Sequence, residues 1–359
     1  MNLDKFSYQL PTKIIYGIDI SKKVEKFIDK RKTLIITSSG FIKRDIINKI
    51  FTDKSLIVDT IHNVKSHPDF LNMENIYKEA HSNDFELILA IGGGSVIDSA
   101  KFVSIYNENK DFNFVKKLTI NNNHSFKYNQ TPIIAMPTTS GTSSEITPYS
   151  TIWDFHNKKK YSLSSINLYC EKAIYDPKLT LTLPKNITIQ AGLDALSHSF
   201  ESIWNKNANR ITITLAIRAI KILLEYLVKL TQDLENLEYR DFIMQASIFA
   251  GMAFSQTQTS IAHGMSYYIT THKGLEHGIA CSFTLPDLID KVIGKYDFID
   301  QALYEIFGEL SSSKIRLFFK ELGVSTDFQS YGIYQKELDE LKSSIENNER
   351  ASNSLVSLF

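Results

Sequence analysis

The chain has 359 residues, of which 43% are hydrophobic and 22% are charged, as is typical of a globular protein with two domains. Forty basic residues balance forty acidic ones, so no net charge attracts the protein to nucleic acid or to an anionic membrane. Two cysteines cannot make a disulfide framework, and the sequence shows neither an apolar signal segment nor a membrane-length apolar run, so we expect a cytoplasmic protein.

Up to about residue 180, short apolar runs alternate with amphipathic segments. The apolar runs predict strands and the amphipathic segments predict helices. The predicted strands are Lys13–Tyr16, Thr33–Thr37, Ser55–Val58, Glu86–Ile91, Pro132–Ala135 and Ala173–Tyr175, and the predicted helices are Ser21–Lys30, Phe41–Phe51, Asp69–His81 and Ser95–Tyr106. The polar stretch Thr119–Thr131, with Asn121–Asn123 at its centre, is predicted to be a surface loop. Such alternation predicts a mostly parallel sheet covered by helices, hence an α/β nucleotide-binding domain over residues 1–180.

After Pro184 the pattern favours helices, and no alternating strand pattern stands out. The predicted helices are Ile187–Trp204, Ala208–Leu230, Asn236–Gln256, Ile261–Thr271, Pro286–Phe307, Ser312–Leu322 and Gln335–Glu346. We therefore expect an all-α domain over residues 181–359, with the border near Asp176–Pro184.

A glycine-rich loop follows the fourth predicted strand. Gly92, Gly93 and Gly94 allow the backbone to approach a phosphate closely, and Ser95 is predicted to cap a helix whose first N–H groups would bind it. The spacing differs from the GxGxxG fingerprint, so the standard Rossmann inference does not apply. The alternative is a tight strand–helix turn that binds no ligand.

A second loop, Pro137–Glu145, follows the fifth predicted strand. Its sequence, PTTSGTSSE, is rich in small hydroxyl side chains, which could line a cofactor or could form a solvated turn. Two such loops at the carboxyl ends of two strands of one parallel sheet favour a ligand crevice there.

The segment Ala191–Glu201 (AGLDALSHSFE) begins a metal-ligand pattern. Asp194 and His198 are four residues apart and so share one face of a helix. Alone, such a pair is more often a surface hydrogen bond. Two further histidines, His263 and His277, each precede a glycine in an apolar context. One carboxylate and three imidazoles suit a divalent first-row metal ion with a coordination position left open for substrate.

With these motifs together, the sequence resembles the iron-dependent (group III) alcohol dehydrogenase family over nearly its whole length. The matching segments are GGGSVIDSAK at Gly92–Lys101, PTTSGTSSE at Pro137–Glu145, AGLDALSHSFE at Ala191–Glu201, and the His-Gly pairs that begin at His263 and His277. The resemblance implies a dehydroquinate-synthase-like fold with cofactor and metal in the cleft between the domains. It also implies Fe²⁺ as the usual metal, with Zn²⁺ as a possible replacement, and a homodimer or larger homo-oligomer.

The resemblance further implies NADPH- or NADH-dependent reduction of an aldehyde to a primary alcohol, the metal ion acting as a Lewis acid on the aldehyde oxygen. Residues expected to hold the pyrophosphate region are Gly93, Gly94, Ser95 and Asp98, and those expected nearer the ribose and nicotinamide are Thr138, Thr139 and Thr142. Lys160 is expected to reach a cofactor ribose. The alternative for Lys160 is a place in a solvated turn, as part of the run Lys158–Lys160.

Two departures from the family pattern bear on function. Many members have a histidine, proposed to relay a proton, where this chain has Tyr267, and His272 lies five residues further on. NAD-preferring members usually place an acidic residue after the second predicted strand, where this chain has Ser38. A carboxylate there would repel the 2′-phosphate of NADPH, and Lys43 and Arg44 could assist that phosphate or simply be solvated. We therefore expect NADPH to be accepted at least as well as NADH.

The segments Thr147–Leu163 and Gly192–Asn209 resemble the phosphonoacetaldehyde reductase branch, which forms 2-hydroxyethylphosphonate in phosphonate biosynthesis. The cationic and amide side chains of Lys206, Asn209 and Arg210 could bind the anionic head group. Trp204–Arg210 could equally be an ordinary connection between helices. The alternatives are a reductase of uncharged short-chain aldehydes, of the butanal or lactaldehyde type, and a non-catalytic protein that binds metal and nucleotide.

Overall fold

The computed structural model describes residues 3, 5–121, 127–346 and 348–358, and they form two compact units. The α/β unit comprises Leu10–Thr139 and Ser143–Thr180, and the helical unit comprises the rest. One border between the two units lies between Thr180 and Leu181. Residues 5–9 and 140–142, however, belong to the helical unit rather than to the α/β domain expected from the sequence. Residues 5–9 join it partly through Tyr8, whose hydroxyl donates to the carbonyl of Met252 at 3.1 Å.

The strands of the α/β unit include all six that were predicted. They are β1 (Lys13–Tyr16), β2 (Thr33–Thr37), β3 (Ile57–Ile61), β4 (Leu87–Gly92), β5 (Ile105–Tyr106), β6 (Asn129–Gln130), β7 (Ile133–Pro137), β8 (Tyr149–Asp154), β9 (Lys159–Ser164) and β10 (Lys172–Tyr175). One sheet has the order β1-β10-β7-β4-β2-β3 with every pair parallel. Strands β2, β4 and β7 are buried at every position, as expected for a parallel sheet covered on both faces.

The helices of this unit pack around the sheet. They are α1 (Val24–Ile28), α2 (Ser39–Lys43), α3 (Ile46–Ile50), α4 (Phe70–His81), α5 (Gly94–Ser104) and α6 (Phe112–Asn121). Helix α4 begins one residue after its predicted start, because Asp69 is its N-cap and the Asp69 carboxylate accepts from the Asn72 N–H at 2.7 Å. Helix α5 begins one residue earlier than predicted. Gly93 is its N-cap, and Ser95, predicted to be the cap, lies in the first turn instead.

Further parts of the α/β unit differ from the sequence prediction. The segment Phe41–Phe51, predicted as one helix, is covered by the two helices α2 and α3. Strands β8 and β9 pair as an antiparallel hairpin that was not predicted, because its connection lacks the usual two-residue hairpin turn. Helix α6 extends to Asn121, so the beginning of the predicted loop at Thr119–Thr131 is helical and its end includes β6. The remainder of that prediction, residues 122–126, lies outside the described residues.

The helical unit contains the other helices. They are α7 (Lys185–Ile203), α8 (Arg210–Gln232), α9 (Leu237–Thr257), α10 (Ile261–Lys273), α11 (His277–Ala280), α12 (Leu285–Val292), α13 (Asp297–Phe307), α14 (Ser313–Glu321) and α15 (Gln335–Glu346). The single helix predicted at Pro286–Phe307 is two helices, α12 and α13, since Gly294 between them takes a left-handed conformation with φ of 76°.

Helix α7 lies at the centre of this unit and is buried on all sides from Gly192 to Ile203. Its close packing depends on Gly192, where a Cβ atom would lie 2.6 Å from a methyl carbon of Leu227 on α8. A helix buried on every face places its polar side chains inside the protein, and α7 carries Asp194, His198 and Glu201. Among the described residues, no helix is long and apolar enough to cross a membrane.

Candidate active site

Asp194 and His198 occupy successive turns of one face of α7. Both residues are almost completely buried, with exposed surface fractions of 4% for Asp194 and 5% for His198. The Nε2 atom of His198 lies 3.7 Å from Oδ1 of Asp194. The His198 ring stacks on Phe254 at a centroid distance of 3.9 Å and an interplanar angle of 8°. This packing fixes the ring and excludes the surface hydrogen bond that was the alternative interpretation of the pair.

The two other predicted ligands converge on the same carboxylate oxygen. Nε2 of His263, in the first turn of α10, lies 3.3 Å from Oδ1 of Asp194. Nε2 of His277, the first residue of α11, lies 4.0 Å from it. Three imidazole nitrogens thus surround one carboxylate oxygen within 4.0 Å. Donor atoms bound to a common ion at about 2.0–2.2 Å lie roughly 3–4 Å apart, so the spacing suits a first-row metal ion.

Gly278 explains how His277 comes so close to α7. A Cβ atom at this position would lie 2.0 Å from the carbonyl oxygen of Gln190. Only glycine lets the start of α11 approach α7 this closely. The glycine that follows His277 is therefore part of the geometry that brings its ring to Asp194.

Glu201, which is not among the residues predicted from sequence to form the site, fixes the orientation of His263. Its carboxylate is fully buried, and Oε2 lies 2.5 Å from Nδ1 of His263. Oε1 accepts from the N–H groups of Ala262 and His263, at 2.6 and 3.2 Å. A carboxylate that binds the second ring nitrogen of a histidine directs the first toward a metal ion. Glu201 is seven residues after Asp194, so their shared helix face was a signal in the sequence.

Cys281 was also missed. Its side chain is fully buried, and Sγ lies 3.5 Å from Oδ1 of Asp194. Donor atoms of Asp194, His263, His277 and Cys281 all lie within 4.8 Å of one another. The sequence signal was the spacing of four residues from His277, which places the thiol one turn away from that ring.

The electrostatics of this cluster fit a divalent cation. Burial alone would raise the pKa of Asp194 and of Glu201, but the neighbouring imidazoles outweigh it and hold both pKa values below their usual range. Burial lowers the pKa of His198 to about 4 even though Asp194 opposes the change. Burial would also lower the pKa of His263, but Glu201 and the other anionic neighbours hold it well above its usual value. When the imidazoles bind an ion in their neutral form, the two buried carboxylates would be balanced by one divalent charge.

The predicted cofactor-binding loops follow neighbouring strands of the sheet. Thr37 pairs with Ile91, and Gly92 pairs with Pro137, so the residues after β2, β4 and β7 share one edge. They are Ser38, Gly93 and Thr138. The chain leaves β2 toward β3 and leaves β4 toward β7, and such a reversal of direction is where dinucleotides bind in open parallel sheets.

Close packing holds two of these loops together. A Cβ atom at Gly93 would lie 3.2 Å from Oγ1 of Thr139, which is closer than ordinary contact. Gly94 and Ser95 form the first turn of α5, whose N–H groups have no acceptor within the helix. Ser95 Oγ also accepts from the N–H of His67 at 3.3 Å. Thr142 lies in the segment 140–142 that belongs to the helical unit.

Asp98 and Lys160 are both engaged with the β8–β9 hairpin. Oδ2 of Asp98 accepts from the N–H and the hydroxyl of Thr151, at 3.0 and 2.7 Å. Nζ of Lys160 lies 5.0 Å from the centre of the Trp153 ring. Lys160 is therefore in a strand, not in the solvated turn that was its alternative. Asp98 links α5 to this hairpin and is 7% exposed.

The two residues considered for proton transfer lie on different faces of α10. Tyr267 is four residues after His263 and so shares its face, whereas His272 is nine residues after it and lies half a turn around the helix. His272 is exposed, and its ring stacks on Tyr268 at 4.1 Å. Of the two, Tyr267 has the position that suits a relay.

The three residues proposed for the head group lie around the start of α8. Asn209 is the N-cap of α8, and its Oδ1 accepts from the N–H groups of Ile211 and Thr212. Arg210 is the first residue of that helix and is exposed. Lys206 and Asn209 line a groove of about 490 Å³ that none of the four predicted ligands lines. The structure thus gives Asn209 a capping role and places Lys206 in a groove that the proposed metal ligands do not line.

Comparisons with known proteins identify the family. The iron-containing alcohol dehydrogenase model matches residues 11–177, and the model of the C-terminal region of that family matches residues 188–353. The chain is 30% identical to the NADPH-dependent butanol dehydrogenase of Clostridium saccharobutylicum, over 92% of this chain and 88% of that protein. It is 29% identical to the sulfoacetaldehyde reductase of Bilophila wadsworthia, over 78% and 73%.

Other matches bear on length and fold. An aldehyde-alcohol dehydrogenase of Streptococcus pneumoniae is 30% identical over 78% of this chain, which spans only 33% of that protein. The crystal structure of the sulfoacetaldehyde reductase of Bifidobacterium kashiwanohense in complex with NAD⁺ has the same fold, with a TM-score of 0.88 at 23% identity over 99% of this chain and 96% of that one. On the two family models and the ligand cluster around Asp194, the chain belongs to the iron-containing alcohol dehydrogenase family of oxidoreductases.

Proposed function

We propose that the protein reduces a small aldehyde to a primary alcohol, using NADPH or NADH and a divalent metal ion, with Fe²⁺ as the usual ion. The observation that carries this proposal is the convergence of His198, His263 and His277 within 4.0 Å of one oxygen of Asp194. For the compartment, we propose the reducing, cytoplasmic one expected from the sequence.

In this proposal Asp194, His198, His263 and His277 hold the ion. When bound, the ion would stabilise negative charge that develops on the aldehyde oxygen, and the nicotinamide would supply the hydride. Glu201 keeps Nε2 of His263 directed at Asp194. Tyr267, on the same face of α10 as His263, would deliver a proton from its hydroxyl to the oxygen of the product. His277 has the most exposed side chain of the four ligands, at 20%, so we place the substrate on its side.

The activity is tested by measuring metal content and NAD(P)H oxidation with a panel of aldehydes. We expect about one ion per chain and aldehyde-dependent oxidation that is lost on metal removal and restored by Fe²⁺. A protein that binds metal and cofactor but oxidises neither NADPH nor NADH with any aldehyde would be the non-catalytic binding protein considered from the sequence.

For the substrate, we propose phosphonoacetaldehyde, with 2-hydroxyethylphosphonate as the product. The support is the resemblance of Thr147–Leu163 and Gly192–Asn209 to that branch, together with a relative that reduces sulfoacetaldehyde, another two-carbon aldehyde with an anionic head group. The second candidate is an uncharged aldehyde such as butanal, which the relationship to a butanol dehydrogenase favours.

Comparing phosphonoacetaldehyde with propanal and butanal under identical conditions decides between these substrates. A site built for the anion should lose most of its kcat/KM when methyl replaces the head group, because its polar groups are then left unpaired. Equal or better turnover of propanal or butanal would overturn the phosphonate assignment and leave the metal-dependent reductase in place.

A further inference from the structure

A cysteine thiol lies among the donor atoms of the proposed metal centre. Cys281 follows the last residue of α11, and its backbone carbonyl accepts from the Ser197 hydroxyl on α7 at 2.6 Å. This bond ties the cysteine to the helix that carries Asp194. Its Sγ atom, shielded from solvent, lies 3.5 Å from Oδ1 of Asp194.

Two of the distances at Asp194 agree with those in a tetrahedral site that includes sulfur. Zinc–sulfur bonds of about 2.3 Å and zinc–oxygen bonds of about 2.1 Å, at a tetrahedral angle, place the two donor atoms about 3.6 Å apart. Sγ of Cys281 and Oδ1 of Asp194 are separated by 3.5 Å. Nitrogen and oxygen donors would be about 3.4 Å apart by the same geometry, and His263 Nε2 lies 3.3 Å from Oδ1.

We propose that Cys281 is an alternative metal ligand, so that two different donors can complete the set formed by Asp194, His263 and His277. Nitrogen of His198 completes it for Fe²⁺, and sulfur of Cys281 completes it for thiophilic ions such as Zn²⁺ and Co²⁺. The thiol releases its proton to solvent as the sulfur–metal bond forms. This inference rests on the metal site proposed above.

Sulfur ligation has a consequence for the choice of metal. A tetrahedral ion held by Asp194, His263, His277 and Cys281 has four protein ligands and leaves no position for substrate. Cys281 therefore favours the binding of thiophilic ions in a closed form of the site. The identity of this one residue sets which metals the protein holds most tightly.

Cobalt spectroscopy tests the assignment without relying on activity. A cobalt–thiolate bond gives a charge-transfer band in the near ultraviolet that nitrogen and oxygen ligands do not give. The variant Cys170→Ser leaves Cys281 as its only thiol, so a band in its Co²⁺-loaded form comes from Cys281. We expect the band in the wild type and in Cys170→Ser, and its loss in Cys281→Ser.

Competition with a chelator supplies the second measurement. We expect Cys281→Ser to lose about tenfold or more in Zn²⁺ affinity, on the scale of ligand-environment changes at metal sites, and to retain its Fe²⁺ affinity. Cys170→Ser, which changes a buried cysteine in the α/β unit, should leave both affinities unchanged. Far-ultraviolet circular dichroism and melting of the metal-free proteins verify that each variant folds.

The outcomes separate this inference from the proposed function. Stoichiometric Co²⁺ without a thiolate band in Cys170→Ser would overturn the role of Cys281 and leave the nitrogen and carboxylate site intact. That result is decisive even if Cys281→Ser fails to fold. Failure of the folded wild type to bind Fe²⁺, Co²⁺ or Zn²⁺ would overturn the metal site itself and the proposed reductase activity with it.

Discussion

The Glu201 carboxylate binds Nδ1 of His263, the ring nitrogen on the side away from Asp194. Its Oε2 atom lies 2.5 Å from Nδ1 of His263, while the Nε2 atom of the same ring lies 3.3 Å from Oδ1 of Asp194. The imidazole thus lies between two buried carboxylates, one of which orients it and one of which shares its proposed metal ion. Such carboxylate–histidine–metal chains fix the tautomer and raise the basicity of the ligating nitrogen.

Replacing Glu201 with Gln should lower metal affinity about 10- to 100-fold, as removal of such orienting groups generally does. When the Gln side chain presents its NH₂ group to Nδ1 of His263, it cannot accept a proton from that nitrogen. It then favours the tautomer whose proton is on Nε2, the nitrogen proposed to bind the metal ion. The measurement is the dissociation constant for Fe²⁺ or Zn²⁺ in chelator competition. The control is Glu340→Gln, which changes the exposed carboxylate that accepts from the Tyr268 hydroxyl. Equal affinities for wild type and Glu201→Gln would contradict the orienting role.

Replacing His198 with Ala should lower Fe²⁺ content and activity together. It should also abolish most of the thermal stabilisation by metal, since an ion at a hundredfold excess over its Kd stabilises the folded state by about 2.7 kcal/mol. Metal analysis and melting curves with and without Fe²⁺ measure both effects. The control is His272→Ala, which changes an exposed histidine on the face of α10 opposite to His263. We expect this variant to keep its metal content and its catalytic rate. Normal Fe²⁺ stoichiometry in the Fe²⁺-loaded His198→Ala variant would remove this residue from the site.

Part of the proposed ligand set could be predicted from sequence because helical spacing brings Asp194 and His198 to one face. Asp194 and His198 are four residues apart on a helix whose existence the apolar pattern indicates, and the His-Gly pairs stand out in apolar surroundings. The distance of His277 from α7 was not predictable. It depends on contact between Gly278 and the Gln190 carbonyl, residues far apart in the chain, and no local pattern encodes such a contact.

The sheet was predicted well and the elements around it less so. Buried parallel strands such as β2 and β4 are continuous apolar runs that stand out in a sequence. Strand β9 has two lysines and two serines among its six residues, KKYSLS, so its pairing with β8 depends on tertiary contacts. One such contact is the bond from Thr151 to Asp98, which engages a side chain that the sequence alone assigned to the cofactor.

Gly278→Ala tests the contact that positions His277. The added methyl carbon would lie 2.0 Å from the Gln190 carbonyl, so α11 must move away from α7. We expect a loss of about 1–3 kcal/mol in the free energy of unfolding, typical of overpacking, together with weaker metal binding. The control is Gly40→Ala, where a Cβ atom meets nothing within 4 Å. Unchanged stability and metal affinity in Gly278→Ala would show that the contact relaxes without cost.

Ser38→Asp tests cofactor choice. Ser38 follows β2 at the edge shared with the glycine loop after β4, and a carboxylate there would accept from the ribose hydroxyls and repel a 2′-phosphate. We expect the wild type to use NADPH at least as well as NADH, and the variant to shift the ratio of kcat/KM toward NADH. The control is Ser82→Asp, at the exposed end of α4. An unchanged ratio in Ser38→Asp would mean that Ser38 does not face the ribose.

Asn209 distinguishes a helix cap from a contact to the substrate head group. Its Oδ1 accepts from the N–H groups of Ile211 and Thr212, and the Asn209 N–H donates to the Thr212 hydroxyl. A cap of this kind contributes about 1 kcal/mol, and serine replaces asparagine in it at little cost. We therefore expect Asn209→Ala to lose about 1 kcal/mol in the free energy of unfolding and Asn209→Ser to retain most of that stability.

Both variants should keep the KM of the wild type for phosphonoacetaldehyde. Chemical denaturation measures the free energy of unfolding, and steady-state kinetics measures KM. The variant Lys206→Ala probes a second side chain that lines the same groove as Asn209. A large rise in KM in Asn209→Ser, without loss of stability, would return this residue to the substrate site.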